Sequence, residues 1–94
     1  MAGGEPKEKQ PGLAPGEDPS TTSLSEAEGW VSVYAELVEF ESSMLKSMKE
    51  RLGTMSKEAR RIAEHENIPA LEEDMEGFRQ WLAFWRERVA ALRA

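Results

Sequence analysis

Apolar residues recur at steps of three and four along the middle of the chain: Val31, Tyr34, Val38, Leu45, Met48, Leu52, Met55, Ala59 and Ile62, with one gap at Glu41. That spacing turns one side of an α-helix toward a neighbour, as a heptad seam does. Ser25-Glu26-Ala27-Glu28 precedes it with the form of a capping box, and no proline follows until Pro69. The pattern predicts a first helix from Glu26 to about His65, roughly 60 Å long at ~1.5 Å per residue. Gly53 lies inside it. A glycine in a helix interior costs about 1 kcal/mol relative to alanine. It is either tolerated there or closes one helix, with Thr54 or Ser56 capping the next. The apolar phase runs from Leu52 to Met55 without a slip, which favours one continuous helix.

A second seam, Ile68, Leu71, Met75, Phe78, Leu82, Trp85, Val89 and Leu92, keeps the same alternation without a gap. Proline suits a first helical turn, so Asn67-Ile68-Pro69 predicts a helix boundary and a second helix from Pro69 to about Leu92. Glu72, Glu73, Asp74 and Glu76 come early and Arg86, Arg88 and Arg93 late, the order a helix dipole favours. A short connection makes the two helices antiparallel. A turn centred near Asn67 would set Lys57, Arg60 and Arg61 near Glu73, Asp74 and Glu76. It would also pair Glu41 with Arg93, an ion pair that fixes register.

In that register the second helix reaches only to about residue 40 of the first. Residues 26–40 overhang and carry Trp30, Val31, Val33, Tyr34, Leu37, Val38 and Phe40. Burying such a set is worth on the order of 10 kcal/mol, so a cover is expected. The expected fold is all-α: an antiparallel helical hairpin, a long helix plus a shorter one, completed as a homodimeric four-helix bundle. The alternative is a three-helix bundle broken at Gly53. The self-association or partner surface would comprise Trp30, Val33, Tyr34, Leu37, Phe40 and Met44, joined by Trp81 and Phe84. Phe78, Leu82 and Trp85 face the first helix, whereas Phe84 points about 100° away from Trp85 and asks for a second contact.

Ahead of the helices, residues 1–24 hold Pro6, Pro11, Pro15 and Pro19, four glycines and the Ser20–Ser23 hydroxyl cluster. So little apolar surface cannot offset the entropy of ordering, so 1–24 reads as a disordered acidic tail and 25–94 as the helical domain.

Composition removes several kinds of chemistry. The chain has no cysteine, hence no disulfide framework and no thiolate ligand or nucleophile. The net charge is −6, which disfavours nucleic acid; residues 46–61 are basic, but acidic neighbours offset them. MAGGEPKEKQ lacks the apolar core of a signal peptide and no stretch approaches the roughly 20 apolar residues of a membrane span, so a cytoplasmic location is expected. His65 is the only histidine, and Ile62 stands where a Glu-x-x-His metal motif needs its acid. Met44, Met48, Met55 and Met75 lie on or beside the seams and read as adaptable core filling. No nucleotide loop or nucleophile elbow is present. The reading is a non-enzymatic module without a cofactor that self-associates or docks on a helical protein. The alternatives are a small regulator whose residues 30–40 insert into a target, and an accessory subunit of an enzyme complex.

Overall fold

The computed structural model describes residues 14–94. Three α-helices follow in order, α1 (Leu24–Arg51), α2 (Lys57–Ile62) and α3 (Ile68–Arg93). A 3₁₀ turn at Leu52–Thr54 and a π turn at Ala63–Asn67 join them, and no strand occurs among the described residues. Glu28 meets Arg93 at one end of the α1–α3 pair and Lys49 meets Glu72 toward the other, so the two helices run antiparallel as a hairpin.

The hairpin turns at residues 52–56. The Thr54 hydroxyl donates to the Arg51 carbonyl at 2.9 Å, which satisfies a group left free by the helix end. Met55 is extended (φ −84°, ψ 153°) and redirects the chain. Ser56 then caps α2 by accepting from the Ala59 N–H at 3.1 Å. The continuous helix expected through Gly53 is therefore broken. An unslipped apolar phase tells which side is buried, not whether the backbone continues.

The boundary expected at Pro69 is instead the inside of a rod. Ile62, Ala63, Asn67 and Ile68 all keep right-handed helical torsions. The Ile68 N–H reaches back five residues to the Ala63 carbonyl. This wider turn makes room for the proline ring, which in a regular α-helix would press on the carbonyl four residues back. α2 thus runs into α3, and the break at Gly53 gives two arms rather than a three-helix bundle.

Moving the turn changes the register. Arg93 Nη2 meets Glu28 Oε2 at 2.6 Å, not Glu41, a displacement of thirteen residues or about 20 Å along α1. Lys57, Arg60 and Arg61 share a rod with Glu73, Asp74 and Glu76 instead of facing them. With α1 and α3 at 28 and 26 residues, the lengths match and the overhang disappears. Ala27, Tyr34, Trp81, Leu82 and Trp85 form one core cluster, with Trp30, Val31, Val38, Phe78, Val89 and Leu92 against it. Leu45, Ile68 and Met75, flanked by Met48, Leu52 and Leu71, fill the core toward the turn.

Residues 1–13 of the segment expected as a tail lie outside the described residues, whereas residues 14–23 form a strap on the helices. Ala14-Pro15-Gly16-Glu17 is a turn closed by Glu17 N–H to the Ala14 carbonyl at 2.9 Å. Gly16 has φ +84°, the conformation that the third position of a type II turn requires and a side chain resists. Asp18-Pro19-Ser20-Thr21 follows as a second turn, with Thr21 N–H on the Asp18 carbonyl at 3.0 Å. The Ser20 hydroxyl and N–H both donate to Asp18 and hold its carboxyl below the usual range. Ser23, not Ser25, caps α1, accepting from Glu26 N–H at 3.2 Å. Glu26 in turn accepts from the Thr21 hydroxyl at 2.7 Å.

Candidate functional site

The strap converges on one carboxyl group. Glu17 is buried; its Oε1 accepts from the Tyr34 hydroxyl at 2.7 Å and from the Ala14 N–H at 2.9 Å, and its Oε2 from the Trp85 indole N–H at 2.8 Å. One side chain thereby ties the strap to α1 and to α3. Arg88 adds a second tie, Nη2 to the Pro19 carbonyl at 3.0 Å. Burial pushes the Tyr34 phenol upward, and its hydrogen bond to Glu17 and the charge there push the same way, so the ring stays a donor at any physiological pH.

The rings named as partner contacts are largely spent inside the chain. Trp30 stacks on Trp85 at a centroid distance of 6.3 Å. Tyr34 stacks on Trp81 at 6.4 Å and tilts against Phe78 at 6.1 Å. Tyr34 and Trp81 are buried and Trp85 is fully enclosed. Phe84 rests edge-on to Trp81 and Trp85 of its own helix, at 5.4 and 5.1 Å, with 36% of its surface exposed.

Apart from Ile62 and Phe84, the exposed large apolar side chains form a stripe on α1. Phe40 is 62% exposed, Val33 40% and Met44 39%. Leu37 is half-buried against the core beneath them. At about 100° per residue these four share one line, roughly 110° round the helix from the face bearing Ala27, Tyr34, Val38 and Leu45. Of the sequence-predicted surface, then, Val33, Phe40 and Met44 stand outward with Leu37 partly buried at their base, while Trp30, Tyr34 and Trp81 belong to the hairpin core.

Glu41 borders this stripe on the side nearer α3. One of its carboxyl oxygens, Oε1, is shielded from water and has no hydrogen-bond partner. Desolvation raises its affinity for a proton, and Asp74 across the interface raises it further. A carboxyl whose folded-state pKa lies above its unfolded value carries its penalty where it is charged, at neutral pH and above. The penalty is relieved as pH falls through the raised value. Glu41→Gln is therefore expected to raise Tm at neutral pH, with the gap closing on acidification. Thermal melts of both proteins across mildly acidic to neutral pH check this, and a gap that widens on acidification contradicts it.

His65 is exposed on the π turn, and no group of three or more metal-ligating side chains forms among the described residues. No described helix is long and apolar enough to cross a membrane. Comparison with known protein families, characterised proteins and solved structures finds no match to this chain. Sequence reasoning missed Glu17. The available signal was a pair of turn-forming tetrapeptides, Ala14-Pro15-Gly16-Glu17 and Asp18-Pro19-Ser20-Thr21, back to back just before a helix.

Proposed function

We propose that this chain is a non-enzymatic protein–protein docking module whose hairpin is a rigid support for the apolar stripe on α1. The observation that carries the reading is the outward placement of Val33, Phe40 and Met44 beside an aromatic core that closes within one chain. An aromatic side chain as open as Phe40, in line with three aliphatic neighbours, contributes little to its own fold and suits an interface hot spot. The occupant is a second copy, completing a four-helix bundle, or a helical segment of another protein. A cytoplasmic setting goes with this reading.

Because Phe40 is exposed, Phe40→Asp is expected to change the unfolding free energy by less than about 0.5 kcal/mol, read from denaturant melts. A loss above ~2 kcal/mol would mean that the stripe is covered within the chain. The functional test places a photo-reactive phenylalanine analogue at position 40 in cells, with a control at Glu76, which is exposed on α3. A discrete adduct at 40, absent at 76 and abolished by a change at the exposed Val33, Val33→Asp, is the expected result; its mass tells a second copy from another protein. Equal labelling at both positions, or none at 40, contradicts the docking role.

A further inference from the structure

The charges around the stripe select its occupant. Residues 26–45 include Glu26, Glu28, Glu36, Glu39 and Glu41 but no lysine, arginine or histidine. Glu36 lines the outer margin of Val33, Leu37, Phe40 and Met44 by helical position, with Glu39 further round, and Glu41 lines the inner margin. Asp74 of α3 stands close enough to Glu41 for the two negative charges to disfavour each other, and Glu41 Oε1 is shielded and unpartnered. The stripe is thus an apolar line between two acidic edges, one of which lacks a counter-charge.

A second copy fits this surface poorly. Two α1 helices joined along their stripes antiparallel, centred between Leu37 and Phe40, set like margin against like margin, with Glu36 toward Glu36 and Glu41 toward Glu41 of the other copy. A parallel pairing sets opposite margins together and brings Glu36 of each against Glu41 of the other. Neither arrangement brings a cation of α1 to Glu36 or Glu41, and like charges facing each other across an interface are repelled. The same edges oppose an anionic lipid surface.

Resting on the docking role proposed above, we infer that the stripe takes an amphipathic helix of another protein whose apolar face is bordered by lysine or arginine. Its apolar residues lie along Val33 to Met44, a span of about three turns, as in other helix-on-helix recognition. One of its cations approaches the open side of Glu41 beside Asp74 and offsets the repulsion between the two carboxylates. Glu41 is then costly in the free protein and favourable in the complex.

The test uses the full chain and two fluorescent model peptides followed by anisotropy. One is an amphipathic helix of leucines bordered by lysines; the other has glutamate in place of every lysine. The lysine peptide is expected to bind at least about tenfold more tightly than the glutamate peptide. Phe40→Asp is expected to weaken it by about tenfold or more, although the variant is more acidic. A non-specific attraction between opposite charges would instead be strengthened by that change. Glu41→Gln is expected to lower affinity several-fold while raising Tm, opposite signs that a purely structural role does not produce. Equal affinity for both peptides overturns the basic partner and leaves the docking surface standing. Binding of the lysine peptide that Phe40→Asp leaves intact, or no binding at all, overturns the inference. A wild-type dimer that Phe40→Asp dissociates also overturns it, in favour of a second copy.

Discussion

Replacing Trp85 with alanine is expected to lower the unfolding free energy by about 3–5 kcal/mol, the range for a large aromatic removed from a core. Trp85 is fully enclosed, stacks on Trp30, supports Phe84 edge-on and donates its indole N–H to Glu17. Its removal leaves a cavity where α1, α3 and the strap meet, a place that cannot collapse without moving an entire helix. Small domains hold only about 5–15 kcal/mol in all, so this one change spends a large share of it. At about 4–8 °C per kcal/mol for a domain of this size, Tm should fall by roughly 12–40 °C. Circular dichroism melts give the answer. A shift of a few degrees would mean that the ring is not central to the core.

Glu17→Ala is the second large effect, expected at about 2–4 kcal/mol. It leaves the Tyr34 hydroxyl and the Trp85 indole N–H without their acceptor, and a buried donor left unsatisfied costs about 1–3 kcal/mol. The strap loses its tie to both helices at once, so limited proteolysis should cut within residues 14–23 well before global unfolding. A double-mutant cycle with Trp85→Phe separates the hydrogen bond from general packing. Glu17→Ala should cost less in the Trp85→Phe background, because one of the two orphaned donors is already gone. Additive effects would indicate that the Glu17–Trp85 contact contributes nothing of its own.

The faces of both helices were legible in the sequence. Tyr34, Val38, Leu45 and Met48 on one side, and Ile68, Met75, Leu82 and Trp85 on the other, all lie in the two core clusters. Their register was not. A heptad seam repeats, so sliding one helix by two heptads brings equivalent faces together again, and the thirteen-residue displacement of Arg93 is close to that. Charge pairing did not break the tie, because acids and bases are frequent enough to give plausible pairs in either register. Large rings break it: Trp30 meets Trp85 and Tyr34 meets Trp81 only with the turn at residues 52–56. The turn itself was hidden by the proline rule. Pro69 looks like a boundary, but a single π turn absorbs the ring.

The candidate surface was half legible for the same reason. Val33, Leu37, Phe40 and Met44 were singled out for being apolar, and all but the half-buried Leu37 remain outward for a different cause than an overhang: α1 is apolar over an arc wider than α3 covers. Trp30, Tyr34 and Trp81 went to the core once the register placed α3 beside them. The strap escaped notice because Pro and Gly content reads as disorder. Pro15 and Gly16 here shape a turn, and the single carboxyl that the turn presents, Glu17, compensates for the scarcity of apolar contacts.

The central claim is that one chain closes its own aromatic core and offers the acid-edged stripe of α1 to a partner of a different kind. Light scattering after size exclusion, over a wide range of concentrations, tests it most directly. The account predicts 10.6 kDa throughout, the mass of one chain. A stable mass of two chains would contradict it, because a second copy would then cover the surface assigned to a basic helix.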